Sequence, residues 1–208
     1  AISGGKDLLG IKGVGYRDSN NKIIINEPRE LIQDLDSLPL PARHLVPIER
    51  YRPAPHHYLE LPMTTMIASR GCPFGCLFCA SRNVWGRKYR ARSAAKVIEE
   101  IKFLIKTYGV KNINFWDDLW GLNRRWTEEF CRLMIKEKIK ISWSCERRVD
   151  TVDLEILQLM KQAGCYSIFY GVESLDQECL DAINKGIKVE QAENVIRLTK
   201  QAGIEARV

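Results

Sequence analysis

From residue 63 onward, short runs of β-branched and aromatic residues alternate with longer stretches whose apolar positions recur every three or four residues. Met63–Ser69 reads as a first strand. Ser93 stands where a helix N-cap belongs, and Val97, Ile98, Ile101, Leu104, Ile105 and Tyr108 follow at helical spacing. Gly109 closes that helix, and Val110–Trp116 is the second strand. Trp126, Phe130, Leu133 and Met134 mark a second helix, followed by a third strand over Lys140–Ser144. Ile156, Leu157, Met160 and Ala163 mark a third helix, with Gly164 behind it and a fourth strand over Cys165–Tyr170. Cys179, Leu180 and Ile183 predict a short helix ended by Gly186. Ala192, Val195, Ile196 and Thr199 predict another, ended by Gly203, and Ile204–Val208 begins a fifth strand.

Three of these helices stop on one glycine and run straight into a strand: Tyr108-Gly109-Val110, Ala163-Gly164-Cys165 and Ala202-Gly203-Ile204. Glycine takes the left-handed conformation that terminates a helix. Helix, glycine, strand, repeated, predicts an α/β fold with a parallel sheet. The pattern alone does not separate a barrel from a doubly wound sheet. In both, ligands gather at the C-terminal ends of the strands. Those ends carry Cys72–Cys79, Asp117-Asp118, Glu146-Arg147-Arg148 and Gly171-Val172-Glu173-Ser174.

The first sixty-odd residues have another texture. Ile11–Arg17 and Lys22–Asn26 flank an Asp/Ser/Asn turn and read as a hairpin. Residues 28–62 hold seven of the eight prolines, so they form an extended connector, with room for one short helix around Glu30–Leu35. His44, His56 and His57 lie in this connector; the adjacent pair could bind metal, but a solvated connector is the better reading. The expected division is therefore 1–27, 28–62 and 63–208.

Of the 208 residues, 45% are hydrophobic and 28% charged, the balance of a globular protein. No apolar run is long enough to span a bilayer, and the N-terminus has no secretory pattern, so the expected location is the cytoplasm. The chain lacks an initiator Met and stops inside a strand-like run, so it is expected to be a piece of a longer protein. The net charge of +6 could assist a phosphate-bearing partner. The basic residues are scattered among acids, which argues against nucleic acid.

Seven cysteines are an odd number, and three cluster in Cys72-Pro73-Phe74-Gly75-Cys76-Leu77-Phe78-Cys79. In a reducing compartment that favours metal ligation over disulfides. Cys131, Cys145, Cys165 and Cys179 read as small buried hydrophobes. Thiolates select iron–sulfur clusters, zinc or Cu(I). Structural zinc wants four protein ligands, and no fourth Cys or His follows nearby. Three ligands suggest a cluster with one open iron. Gly75 is expected to let the loop wrap through a positive φ.

The CxxxCxxC spacing, with an aromatic before the last Cys, resembles the signature of the radical S-adenosylmethionine (SAM) superfamily. The resemblance covers residues 63–208. It implies the first four units and the start of the fifth of a partial (β/α)6 barrel, a 4Fe-4S cluster on Cys72, Cys76 and Cys79, and SAM at its open iron. It further implies reductive cleavage of SAM to a 5′-deoxyadenosyl radical. Many members carry a glycine-rich pair and a Glu after the second strand; Phe115-Trp116-Asp117-Asp118 stands there instead. That departure resembles the subgroup with an N-terminal cobalamin-binding domain. So do Trp143–Asp150, Gly171–Ser174 followed by Lys185-Gly186, and the lead-in Asp34–Arg43. Residues 1–27 would be the tail of that domain, which would bind cobalamin outside this chain. The implied SAM contacts are Asp117, Asp118, Arg148, Glu173, Ser174 and Lys185. The implied partners are a small-molecule substrate and an electron donor such as flavodoxin or ferredoxin, and the implied reactions are methyl transfer, cyclisation or rearrangement. The alternatives are a methylthiotransferase-like modifier of RNA or protein without cobalamin, an iron–sulfur electron carrier, and a zinc-stabilised binding module.

Overall fold

The computed structural model describes residues 8–51 and 53–208; residues 1–7, Arg52 and the side chain of His56 lie outside that description. The chain divides into two units, Ala1–Gln33 and Asp34–Val208. In the first, β1 (Gly15–Arg17) and β2 (Ile23–Ile25) pair antiparallel, with Tyr16 opposite Ile24. Asp18 Oδ1 closes the turn by accepting from the backbone N–H groups of Asn20 and Lys22, both at 2.9 Å.

The second unit begins inside the connector. The helix expected around Glu30–Leu35 does not form; a single 3-10 turn over Leu35–Ser37 stands there instead. Its cause is Asp34, whose side chain caps the turn by accepting from Asp36 N, with Pro39 close behind. Three more 3-10 turns follow before β3 (Met63–Met66). The expected first strand is thus cut in two: β4 (Ser69–Arg70) leaves the main sheet and pairs antiparallel with β5 (Arg90–Ala91). The cysteine loop and a one-turn helix, α1 (Ser81–Val84), lie between these two short strands, so the ribbon closes the loop at its root.

The rest is βα repetition: α2 (Ala94–Tyr108), β6 (Asn112–Phe115), α3 (Arg124–Lys136), β7 (Ser142–Arg147), α4 (Leu154–Gln162), β8 (Cys165–Tyr170), α5 (Gln177–Ala182), α6 (Val189–Gln201) and β9 (Glu205–Arg207). Side-chain caps fix the starts. Ser93 Oγ accepts from Lys96 N at 3.2 Å, Asp153 Oδ1 from Ile156 N at 2.9 Å and Asp176 Oδ1 from Cys179 N at 2.8 Å. Gly109, at φ 62°, ends α2 in the left-handed conformation. Gly186 does not end α5 as expected: that helix stops at Ala182, and Asn184 takes the left-handed turn at φ 52°.

All neighbours in the five-stranded sheet are parallel, in the order β3-β6-β7-β8-β9. Strands laid down in sequence order on one side belong to a barrel; a doubly wound sheet reverses direction midway. The fold is therefore an α/β partial barrel. One face of its sheet packs on the helices: Phe115, Trp120, Phe130 and Trp143 form a buried aromatic cluster with ring centroids 5.0–5.9 Å apart. The other face is polar. Ser144 Oγ donates to Asn114 Oδ1 at 2.8 Å, and Asn114 Nδ2 donates to the backbone oxygen of His57 at 2.6 Å. Connector residues thus occupy the inner face of the barrel. No helix among the described residues is long and apolar enough to cross a membrane.

Candidate functional site

Cys72, Cys76 and Cys79 line one cavity of ≈300 Å³ at the C-terminal ends of the strands. The loop that carries them is held from three sides. Cys72 N donates to Gly86 O at 3.4 Å, Leu77 N to Ile183 O at 2.9 Å, and Asn184 Nδ2 to Gly75 O at 3.0 Å. The positive φ expected at Gly75 falls instead on Gly71, at 86°, where a side chain would also strike Lys88 O at 2.4 Å. At Gly75 the demand is for space: a Cβ there would sit 3.1 Å from Asn184 Nδ2.

The cavity gathers charge. Arg148 is buried and forks onto Asp150, with Nε to Oδ1 at 3.0 Å and Nη2 to Oδ2 at 3.1 Å. Its Nη1 lies 3.9 Å from Cys76 Sγ, and its guanidinium sits 3.7 Å over the Phe74 ring. Lys185, also buried, donates to Glu173 Oε1 at 2.8 Å and faces the Phe78 ring. Glu173 holds φ at 71°, a conformation that costs a non-glycine residue energy and here aims its carboxylate at Lys185. Gly171 makes room for this pair: a Cβ there would stand 2.9 Å from both Glu173 Oε1 and Lys185 Nζ.

Asp118 lines the same cavity, while Asp117 does not. Asp117 is buried, and its Oδ1 accepts from Ala68 N at 3.1 Å, from Ser69 Oγ at 2.5 Å and from Ser69 N. Burial pushes its carboxyl up to about 7, against the pull of those hydrogen bonds. Adjacent aspartates thus go to opposite sides of the strand end. Ser174 borders a neighbouring open cavity of ≈480 Å³, and its Oγ accepts from Asp176 N at 3.0 Å.

Two cavity residues fall where the sequence placed loop. Strand β7 runs to Arg147, so Glu146 and Arg147 belong to the strand and both line the cavity. Glu146 stays open to solvent, yet the walls around it raise its pKa, and Asp118 adds to the rise. Phe169, the inner neighbour of Glu146 across the ladder, lines the cavity too. A period-two count along β7 and β8 from Cys145 and Ile168 would have found both.

The residues fit an iron–sulfur cluster. Burial raises the Cys72 thiol, and Cys79 and Cys76 add to that, while the Phe74 backbone and Arg148 favour its thiolate. The thiols line a cavity, and among the described residues no three His, Cys, Asp or Glu side chains converge tightly enough for a single metal ion. Cysteines disposed around a space, with an adjacent cation and aromatic walls, suit a multi-iron centre. Cys131 and Cys165, by contrast, are buried behind the sheet, where burial pushes Cys131 up to about 12 and Cys165 well above its usual range.

A family model for the radical SAM superfamily matches residues 66–208. The chain belongs to the radical SAM superfamily. A protein named uncharacterized methyltransferase from Pyrococcus horikoshii is 35% identical over 206 residues, covering 99% of this chain and 44% of that one. The anaerobic magnesium-protoporphyrin IX monomethyl ester cyclase of Rubrivivax gelatinosus is 31% identical over 200 residues, covering 93% of this chain and 34% of that one. The solved structure of the cobalamin-dependent SAM radical enzyme OxsB, with aqua-cobalamin and SAM bound, superposes with a TM-score of 0.83 at 24% identity, over 99% of this chain and 30% of OxsB. That likeness concerns the radical SAM fold, here including the connector. The chain spans less than half the length of these relatives.

Proposed function

We propose that this chain is the core of an enzyme that cleaves SAM reductively at a 4Fe-4S cluster held by Cys72, Cys76 and Cys79. We further propose that the whole protein is of the cobalamin-associated kind, working on a small-molecule substrate by methyl transfer or cyclisation. The observation that carries the first part is the convergence of three thiols, Arg148 and the Lys185–Glu173 pair on one cavity. The names of the two curated relatives support the second. The cluster, when bound, supplies the electron that breaks the sulfonium C–S bond of SAM.

The chain's own residues have separate tasks. Arg148 sets a positive charge beside Cys76 and offsets the cost of buried thiolates. Lys185 and Glu173 present one cation and one carboxylate at 2.8 Å, a pair complementary to the carboxylate and ammonium of an amino-acid zwitterion. Asp118 offers a second carboxylate from the opposite wall. Phe74 and Phe78 set aromatic faces against the two cations, Arg148 and Lys185.

Anaerobic reconstitution tests this reading. The protein should take up about four irons and four sulfides. Replacing any one of Cys72, Cys76 or Cys79 with Ala should abolish the cluster, and Cys179→Ala should leave it intact. Lys185→Ala should keep the cluster absorption and weaken SAM binding roughly tenfold to a hundredfold. Stoichiometric zinc without iron–sulfur absorption would overturn the assignment, and equal SAM affinities would remove Lys185 from the site.

A further inference from the structure

Charge is not evenly spread over this chain. Residues 61–98 contain no Asp or Glu, yet they contain Arg70, Arg82, Arg87, Lys88, Arg90, Arg92 and Lys96. With a net charge of +6 overall, the rest of the chain is slightly acidic. The whole positive excess therefore sits on the stretch that carries the cysteines.

The fold turns this excess into a face. Arg92 and Lys96 are neutralised on Glu100 and Glu99, and Arg90 is buried, its Nη2 donating to Trp85 O at 2.8 Å. Arg82, Arg87 and Lys88 remain exposed. All three are tied to the loop. Arg82 lies on α1, three residues after Cys79. Arg87 reaches Gly75, with Nη2 3.8 Å from where a Cβ would be. Lys88 O packs against Gly71, beside Cys72. Leu77 on the loop and Val84 on α1 are exposed apolar residues, at 61% and 63%. Glu178 and Asp181 are exposed on α5, the helix followed by Ile183 and Asn184, which hold the loop at Leu77 and Gly75.

We propose that Arg82, Arg87 and Lys88, with Leu77 and Val84 among them, form the docking face for a small acidic one-electron carrier protein. This rests on the proposed function, which requires one electron to leave a donor's reduced centre and enter the cluster for each SAM cleaved. A small patch with a charged rim suits a transient redox encounter, which buries little area and relies on steering. Nucleic acid would be drawn by the same sign. The one exposed aromatic ring on this loop, Phe78, faces Lys185 in the cavity, however, and Leu77 and Val84 are aliphatic and offer no ring for a base to stack on.

Flavodoxin is a suitable acidic probe. Its association with the protein should weaken as salt rises, and Arg82→Glu combined with Arg87→Glu should weaken it at least about tenfold at low ionic strength. On reconstituted protein the same double variant should slow cluster reduction by reduced flavodoxin about tenfold and leave reduction by dithionite unchanged. Wild-type association and wild-type reduction rates in the variant would overturn the proposal. Loss of binding to a single-stranded RNA oligonucleotide with flavodoxin binding intact would overturn it in favour of nucleic acid. Association is measured with or without the cluster. Failure to assemble a cluster therefore counts against the proposed function, and association alone still decides the docking face.

Discussion

The two faces of the five-stranded sheet are built from alternate residues of the same strands, and they obey opposite rules. Toward the helices, Ile113, Phe115, Trp143, Cys145 and Ile168 are buried in a continuous apolar core. Toward the barrel interior, Asn114, Trp116, Ser144, Glu146 and Phe169 line two cavities. A parallel sheet is ordinarily apolar on both faces because both are covered. Here only the outer face is an apolar core; on the inner face Asn114 and Ser144 are buried in hydrogen bonds that reach the connector. The inner face keeps polar groups and exposed rings, as a ligand-binding wall requires.

The contrast predicts unequal costs. Phe130→Ala removes a fully buried ring that meets Phe115, Trp120, Trp126 and Trp143, and should destabilise the fold by about 3–5 kcal/mol. Trp116→Ala deletes a larger side chain from the inner face, where 56% of the residue is already exposed, and should change stability by no more than about 0.5 kcal/mol. Denaturant titration of the two variants checks the pair; equal losses would mean that the inner face is also core.

The adjacent aspartates sharpen the comparison. Asp117 lies in the dry layer with its pKa pushed up to about 7, whereas Asp118 is open to the cavity. A carboxyl whose folded pKa exceeds its unfolded value of 3.8 binds its proton more tightly in the native state. Its contribution to stability is full below 3.8 and is lost as pH rises through about 7. Asp117→Asn should flatten that slope. It should also still fold, because Ala68 and Ser69 converge on Oδ1, which an amide retains. Asp118→Asn should leave the slope in place. Stability curves across this range for the three proteins decide it, and a slope that survives in Asp117→Asn would assign it to another group.

Much of this was legible in the sequence because glycine and period-two patterns report backbone geometry directly. The fourth strand matches Cys165–Tyr170 residue for residue, and the glycine stops after α2, α4 and α6 all take positive φ. The cysteine loop was equally plain, since its spacing is local. What stayed hidden depends on three dimensions. Residue types alone do not tell which of two neighbouring aspartates turns inward. The bulge that sets Trp143 opposite Cys165 but Ser144 opposite Ser167 shifts the register of β8 against β7, which no local pattern announces. The end of α5 moved because Asn184 supplies the left-handed turn two residues before Gly186. The charge asymmetry of residues 61–98 is hidden when the basic residues are read over the whole chain as scattered among acids, and it gains meaning only once Lys96 and Arg92 are seen to pair with Glu99 and Glu100.

The smallest effect is expected at Glu146. Its carboxylate is inward-facing, makes no hydrogen bond or ion pair among the described residues, and has its pKa raised by burial and then by Asp118. Raised above the unfolded value of 4.5, it favours the folded state when protonated and opposes it slightly when charged. Glu146→Gln removes that opposition without changing shape. At neutral pH the variant should be as stable as the parent or more stable by at most about 0.5 kcal/mol, since the group is solvent-exposed and screened. The difference should vanish below pH 4.5, where the parent carboxyl is protonated in both states. If the substitution instead costs more than about 1 kcal/mol, Glu146 supports the scaffold, and the inner face is not reserved for ligands. A neutral or stabilising result, paired with altered binding of whatever occupies the cavity, would mean that stability has been given up at this position for recognition.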